Sequence, residues 1–240
     1  MKSIGNEFLQ WTKHRTMPTS AEKAGAPTPP IETSVEGPRI DLPSVDTLKV
    51  PDLSLDAAFN ARQSHRAFKD SAVALSTLSY LLHVTQGVRK AGKKATLRYA
   101  PSAGARHAFE CYIAVKNVEG LSPGIYRYLA MEHALVNIRE GDVSQRLSEV
   151  CEGQAFVGAA PMTILWVANA YRMTHRYSTR GYRYLFMDAG HAVENLYLAS
   201  TMFQGGTVAV GAYDDDAANA LLDLDGSQRF VIYITPFGHV

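Results

Sequence analysis

Cysteine is scarce in this chain, and long apolar runs are missing. The 240 residues contain two cysteines, Cys111 and Cys151, whose spacing matches no metal-binding or redox motif. One disulfide is possible in principle, but two free, buried thiols in a cytoplasmic protein are the simpler expectation. The opening MKSIGNEFLQWTKHRT is too polar for a secretory leader, and the apolar runs are too short or too polar to span a bilayer. We therefore expect a soluble, cytoplasmic protein with no membrane partner.

An excess of charge is also lacking. The sequence has 24 basic and 23 acidic residues, a formal net charge of +1, which provides no overall positive field to attract nucleic acid. The eight histidines show no zinc-ligand spacing, so we expect no metal site. GxGxxG, P-loop, HExxH and GxSxG motifs are missing, which argues against a Rossmann protein, a P-loop NTPase, a zincin and a serine hydrolase.

Residues 182–206, YRYLFMDAGHAVENLYLASTMFQGG, predict a long helix that is apolar on nearly every side. Such a helix is normally buried, and its polar side chains then need partners. Two interpretations remain open at this point: a core helix whose polar groups are satisfied by neighbours, or a central helix at a cofactor site or subunit interface. We expect His191 to be a satisfied core histidine.

The N-terminal part differs in composition from the rest. Residues 17–52 are rich in proline, threonine and serine, a composition that does not favour a hydrophobic core of its own. Residues 1–39 are therefore predicted to be an arm or strap, either disordered or extended over the body, and residues 40–240 the folded domain.

The pattern within the domain predicts helices and strands in separate groups. Three strands are expected at 110–118, 124–130 and 134–140, a central strand at 161–171 and a final strand at 229–238, with an extended segment at 206–213. Helices are expected at 54–64, 75–87, 142–153 and 214–224, with another running into the long helix, and a basic loop at 90–104. This grouping predicts an α+β fold with a mostly antiparallel sheet between helical layers.

Several segments contain residues suited to binding or catalysis. In Arg62-Gln63-Ser64-His65-Arg66, guanidinium groups and a hydroxyl are suited to a phosphate, although a solvated helix end is the plainer interpretation. The small residues of Pro101-Ser102-Ala103-Gly104 would let a planar ligand approach the backbone, or they form an ordinary loop. Val208-Ala209-Val210-Gly211 offers backbone groups to a ring edge, or is a buried strand.

The arginine- and tyrosine-rich segment 176–184 leaves three possibilities. It would bind phosphate, stack on bases or supply a catalytic Arg176 or Tyr177. A dimer surface is the alternative, because arginine and tyrosine are enriched in interfaces.

Taken in order, these segments resemble the FMN-dependent nitroreductase superfamily and, more narrowly, its SagB-type dehydrogenase branch. The resemblance runs from about residue 40 to the C-terminus and is carried by seven segments: RQSHRAF, LSYLLHVTQGV, PSAGARHAFECYIAV, GLSPGIYRY, RYSTRGYRY, DAGHAVENLYLAS and GAYDDDAANALLDLDG.

The resemblance implies a nitroreductase-like α+β sandwich, an intertwined homodimer and two FMN sites at the dimer interface. By position, Arg62, Gln63, Ser64 and Arg66 would hold the phosphate and ribityl chain. Pro101, Ser102, Ala103 and Gly104, from the other subunit, would line the flavin. Val208, Ala209, Val210 and Gly211 would lie against the isoalloxazine ring, and Tyr177 and Arg176 would stand at the substrate mouth.

Three functions are compatible with this resemblance. The first is an FMN oxidoreductase that works by a ping-pong cycle on a small organic substrate, with NAD(P)H as a plausible donor. The second is an azoline- or peptide-modifying dehydrogenase, although Arg176 stands where a lysine is expected and an arginine cannot act as a general base. The third is a non-catalytic flavin-binding scaffold.

Overall fold

A computed structural model describes residues 3–93 and 95–240 of the chain. Its helices are α1 Ile4–Trp11, α2 Leu55–Ala61, α3 Leu75–Gln86, α4 Ser144–Val150, α5 Ala155–Ala159, α6 Ala170–Tyr177, α7 Gly181–Met202 and α8 Asp215–Leu221. Its strands are β1 Ile40–Asp41, β2 Val88–Ala91, β3 Thr96–Arg98, β4 Phe109–Val115, β5 Gly124–Leu129, β6 Ala134–Glu140, β7 Met162–Asn169, β8 Gly205–Thr207 and β9 Arg229–His239.

A seven-stranded sheet forms the centre, in the order β1-β6-β5-β4-β7-β9-β8. Every neighbouring pair in it is antiparallel. The three consecutive strands expected after residue 110 are adjacent, and the apolar run after residue 161 lies between β4 and β9. The predicted α+β fold with a mostly antiparallel sheet is therefore confirmed.

The two faces of the sheet are covered by different helices. Along β7, Ile164 and Trp166 face one core with α3 and α7, whereas Leu165 and Val167 face a second core with α4, α5 and α8. Successive side chains of a strand point to opposite faces, so a strand buried on both sides reads as an unbroken apolar run. This explains the uniform hydrophobicity of residues 161–168.

The long helix α7 is shorter and more exposed than the sequence predicts. It ends at Met202 because Gln204 takes φ 50° and Gly205 begins strand β8. One side of the helix is buried, but Phe186 and Met187 on the other side are 58% and 54% exposed. Burial on nearly every side is therefore wrong for the single chain.

Two further expectations are corrected. The basic loop at 90–104 contains most of a hairpin, in which β2 pairs with β3 and the Gly92 amide donates to the Ala95 carbonyl. His191 is not a core histidine, because its side chain is 47% exposed. Asp188 is buried instead, and Asn195 donates to the Val84 carbonyl at 2.8 Å.

The proline-rich segment lies along the body as a strap. The Glu22 amide donates to the His175 carbonyl at 2.8 Å, and the Ala130 amide donates to the Glu32 carboxylate at 2.8 Å. Upstream, Arg180 donates to the Thr12 carbonyl at 2.8 Å, which fastens the end of α1 to the start of α7. The division of the chain at residue 39 stays a prediction.

Candidate active site

The Arg62–Arg66 segment follows α2 and runs beside β8. Ser54 begins α2 by accepting a hydrogen bond from the Ala57 amide at 3.1 Å, and the helix ends before Arg62. The His65 amide then donates to the Thr207 carbonyl at 3.0 Å. A side chain on Gly206 would place its Cβ 2.4 Å from the His65 ring, so glycine there allows this close approach.

Tyr197 of α7 joins this segment to the next candidate segment. Its hydroxyl accepts a hydrogen bond from the Ala209 amide at 2.8 Å and lies 3.1 Å from the Ser64 hydroxyl. The Arg62 guanidinium lies over the Tyr197 ring, 5.5 Å from its centroid. The structure therefore brings residues 62–66 and 208–211 together. Tyr197 was not among the residues predicted from the sequence. It could have been found as a tyrosine on a largely apolar helix, because a buried tyrosine hydroxyl needs a hydrogen-bond partner.

The cationic groups of this site have no acidic partner among the residues that the structure describes. Arg62 is half-buried and Gln63, Ser64 and Arg66 are exposed. Within residues 3–93 and 95–240, neither Arg62 nor Arg66 forms an ion pair. Arg62 and Arg66 flank Ser64 in the sequence, and guanidinium groups and a hydroxyl are the donors that a phosphate group takes.

The 208–211 segment has one buried side and one open side. Val208 and Val210 are buried in the core with α8, and the Val210 amide donates to the Ile234 carbonyl at 2.8 Å. Ala209 is half-buried and Gly211 exposed. The open side therefore presents small residues, against which a flat ring can lie close to the backbone.

Residues 101–104 form a second group, which Asp188 of α7 holds. Both carboxylate oxygens of Asp188 accept from the Ala103 amide at 3.2 Å, and the Ser102 hydroxyl accepts from the His107 amide at 2.9 Å. Burial raises the pKa of Asp188, and its hydrogen bonds with Ser102 and Ala103 oppose that rise. In the sequence, Asp188 is visible only as one of the polar side chains of the 182–206 helix.

Gly104 brings this loop against Tyr177. Gly104 takes φ 56°, and a Cβ at this position would lie 2.3 Å from the Tyr177 hydroxyl and 3.2 Å from Arg176 Nε. Tyr177 ends α6 and packs edge-on against Tyr184 at 4.8 Å. Pro101, Ser102, Ala103, Gly104, Arg176 and Tyr177 thus share one place on the molecule.

Arg176 also contacts the strap, and a strained turn follows Tyr177. Arg176 Nη1 lies 3.6 Å from the Glu22 carboxylate. Ser178, which follows Tyr177, takes φ 48° and ψ −141°, a sparsely populated conformation for a residue with a side chain. Backbone strain of this kind is concentrated at functional sites.

The two groups of candidate residues are apart in one chain. One is anchored at Asp188 and the other at Tyr197, nine positions later, which is about 13 Å along a helix. The cavity beside Pro101, Ser102 and Asp188 measures about 10 Å³, whereas ligand pockets occupy about 300–1,000 Å³. A groove of about 580 Å³ lies elsewhere, near His83, Arg89 and His133, and none of the predicted site residues lines it.

Comparison with known proteins identifies the family. Residues 60–239 match the model of the nitroreductase family. The chain is 32% identical over 199 residues to the candidate nitroreductase MJ1384 of Methanocaldococcus jannaschii, covering 83% of this chain and 95% of that protein. The chain therefore belongs to the nitroreductase family, a family of oxidoreductases.

Solved structures agree with this assignment. A nitroreductase-like protein of Ralstonia eutropha superposes with a TM-score of 0.70 at 26% identity, covering 89% of this chain and 98% of that one. One from Anabaena variabilis gives a TM-score of 0.65 at 30% identity, but the match covers 76% of this chain and only 37% of that longer chain.

Two more distant structures share the fold. The Escherichia coli microcin synthetase McbBCD complex, with truncated pro-MccB17 bound, contains a chain with a TM-score of 0.63 at 19% identity, covering 100% of this chain and 98% of that one. A nitroreductase-like protein of Desulfovibrio desulfuricans, in complex with FMN, has a TM-score of 0.55 at 18% identity, covering 78% of this chain and 87% of that one.

Proposed function

We propose that this protein is a cytoplasmic, homodimeric FMN-dependent oxidoreductase that acts on a small organic substrate. The observation that carries the proposal is the arrangement around Tyr197. There, the Arg62 guanidinium lies over the Tyr197 ring, and the Tyr197 hydroxyl contacts both the Ser64 hydroxyl and the amide of Ala209 in the 208–211 segment. A flavin mononucleotide has both features that this arrangement fits, an anionic phosphate and a flat ring. The FMN-bound Desulfovibrio relative supports the same cofactor.

The residues of the chain take distinct parts in this proposal. Arg62 and Arg66 hold the phosphate through charge-assisted hydrogen bonds, and Ser64 adds a hydroxyl. Gln63, exposed between them, lies alongside the ribityl chain. The backbone from Val208 to Gly211 lies against the ring and supports it through the pairing of Val210 with Ile234.

A second copy of the chain completes the site. Pro101–Gly104 are held near Asp188, away from Tyr197, so in the proposed dimer they line the flavin bound by the partner. The exposed Phe186 and Met187 on α7 provide apolar surface for such an interface. A second copy would also bury the side of α7 that the single chain leaves open.

FMN held by these residues would supply the redox chemistry, the transfer of electrons between two substrates in a ping-pong cycle. The protein contributes orientation and proton transfer. Tyr177 directs its hydroxyl towards the Gly104 backbone, where it donates a proton or a hydrogen bond to the substrate. Arg176 attracts an anionic substrate group, in competition with Glu22.

A second candidate function is dehydrogenation of azolines in a modified peptide, as in the SagB-type branch. The observation that favours it is the likeness of fold to a chain of the microcin synthetase complex over the full length of this protein. Arg176 counts against it, because an arginine does not act as a general base.

An absorbance spectrum of the purified protein, followed by anaerobic addition of NADPH and then NADH, tests the proposal. We expect a flavin band that bleaches with one of the nucleotides. A flavin band that neither nucleotide changes would favour the peptide-modifying dehydrogenase. A colourless protein that takes up no added FMN would contradict both functions.

A further inference from the structure

A groove of about 580 Å³ lies between the strap and the β2–β3 hairpin. Its lining includes parts of the strap segment 41–45, Val88–Ala91 of β2 and the turn 130–133 between β5 and β6, with His83 and Tyr128 beside them. Its volume falls within the range of about 300–1,000 Å³ that ligand pockets occupy. None of its lining residues belongs to the proposed flavin site.

One side of this groove is fixed by a chain of hydrogen bonds. His133 Nδ1 lies 2.8 Å from the Tyr128 hydroxyl, and His133 Nε2 lies 2.8 Å from the Ser79 hydroxyl. Ser79 donates in turn to the carbonyl of Pro43 in the strap at 2.6 Å. Since that bond uses the only proton of the Ser79 hydroxyl, neutral His133 donates through Nε2 and accepts from Tyr128 through Nδ1. The chain holds the strap to α3 and gives this side of the groove its shape before any ligand binds.

The groove has charges of both signs that do not pair with each other. Arg89 and Lys90 on β2 and Asp41 on the strap line it and are exposed, and none of the three forms an ion pair among the described residues. The other carboxylate that lines the groove, that of Glu132, is already paired with Arg39 at 3.0 Å. Recognition depends on complementary charge, so this groove suits a ligand that has a positive and a negative group of its own.

Besides these charges, the groove offers apolar surface and one imidazole ring without a partner. Its apolar lining includes Val45, Val88 and Met131, the last of which is 44% exposed. His83 is half-buried, and its ring centroid lies 4.4 Å from that of Tyr99. The His83 ring makes no hydrogen bond within the part of the chain that the structure describes, so it can accept a hydrogen bond from a ligand or donate one to it.

We propose that this groove binds a short peptide with free ends and apolar side chains, of the size of a tripeptide. Its carboxylate would be held by Arg89 and Lys90, and its ammonium group by Asp41, through charge-assisted hydrogen bonds. Its side chains would cover the apolar lining, and His83 would form a hydrogen bond with a peptide group. A free amino acid would leave most of the groove empty. The bound peptide joins the strap to the hairpin, and its binding does not depend on FMN.

Calorimetric titration of the full chain tests this proposal. Three forms of one peptide are compared: Ala-Leu-Ala with free ends, its N-acetyl form and its C-terminal amide. We expect the free form to bind, and each blocked form to bind roughly tenfold more weakly, because each has lost one charge-assisted hydrogen bond. No binding of the free form at millimolar concentration would overturn the proposal, and so would equal affinities of the three forms. A loss in the amide alone would describe an anion site and would also overturn it.

Variants of the charged residues locate the two ends of the peptide. Asp41→Asn should bind the free and N-acetyl peptides equally, and Arg89→Gln combined with Lys90→Gln should bind the free peptide and its amide equally. Arg146→Gln removes an exposed arginine on α4 and should keep all three affinities. Wild-type affinity ratios in the altered groove would overturn the proposal. Flavin spectra of the same samples should match the wild type, so the proposed flavin function is judged separately.

A crystal structure gives a second measurement that needs no variant. Crystals soaked in Ala-selenomethionine-Ala should show an anomalous peak in the groove, within contact distance of Val88 and Met131. A peak elsewhere on the molecule, or a groove that contains only water after the soak, would overturn the proposal.

Discussion

Two groups of arginines in this protein have the same chemistry but different surroundings. Arg62 and Arg66 are half-buried or exposed and have no carboxylate partner among the described residues, whereas Arg127 and Arg172 are buried and paired with Glu110. In the proposed function, the open pair binds the phosphate of a flavin taken up from solution. The position of the enclosed pair is fixed by Glu110, so burial and partners decide whether an arginine binds a ligand or maintains structure.

The largest effect is expected from breaking the enclosed group. Glu110→Gln leaves its surrounding guanidinium groups without a countercharge, which should cost about 3–5 kcal/mol of unfolding free energy. Denaturant unfolding at pH 7 measures it. Glu132→Gln is the control, because Glu132 pairs with Arg39 on the surface, and surface pairs contribute little; equal losses in both variants would contradict the structural role of the Glu110 cluster.

The open group is tested by ligand selectivity. Arg66→Gln should weaken FMN binding by roughly tenfold to a hundredfold, the loss of one charge-assisted hydrogen bond, and leave riboflavin affinity unchanged, because riboflavin has no phosphate. Fluorescence titration of the flavin-free protein measures both affinities. Arg146→Gln should change neither, and an equal loss of FMN and riboflavin affinity in Arg66→Gln would place Arg66 away from the phosphate.

The contact between Gly104 and Tyr177 is tested by two glycine variants. Gly104→Ala and Gly120→Ala both place a side chain at a positive φ, 56° and 77°, but Gly120 has nothing within 4 Å of the new Cβ. We expect Gly104→Ala to lose about 1 kcal/mol more stability than Gly120→Ala, since it also clashes with Tyr177. Similar losses would mean that the loop adjusts without cost.

The connecting role of Tyr197 should give a smaller effect. Tyr197→Phe removes the acceptor of the Ala209 amide and the partner of Ser64, at a cost of about 1 kcal/mol of stability, with weaker FMN binding. Tyr80→Phe is the matched control, because among the described residues the Tyr80 hydroxyl has a single hydrogen-bond contact, at 3.9 Å from the Met202 sulfur. If FMN affinity falls equally in the two variants, Tyr197 does not belong to the FMN site.

The smallest effect is a pH dependence. Burial, aided by the charge of Arg98, lowers the pKa of His107 to about 3, so the unfolded chain binds the proton first as pH falls below about 6.5. Stability should therefore decline as pH falls from about 6.5 towards 3. Tm should therefore fall with pH in this range, and His107→Gln should make that fall smaller. An unchanged dependence of Tm on pH would contradict the lowered pKa of His107.

Much of the fold could be predicted because it follows from local pattern. Strand β7 reads as an apolar run because both of its faces are buried, and α8 begins where Asp214 caps it by accepting from the Ala217 amide. The exposed side of α7 could not be predicted, because an apolar helix has the same sequence pattern whether its own chain or a second copy covers it.

The candidate segments were visible as residue types, but the groups that organise them were not. Asp188 and Tyr197 are single polar residues on an apolar helix, and only the folded chain shows that each holds a different segment. Glu110 gives no sequence signal either, because its arginine partners are 17, 62 and 119 positions away along the chain.

The central claim is that each flavin site combines Arg66 of one copy with Pro101–Gly104 of another, and mixed dimers test it most directly. Arg66→Gln and Pro101→Trp, each defective in FMN binding, are unfolded together and refolded as a mixture. The account predicts that about a quarter of the wild-type FMN content returns, because half of the random dimers are mixed and each of those has one intact site. No recovery, although mixed dimers form, would show that both segments act within one chain and would contradict the account.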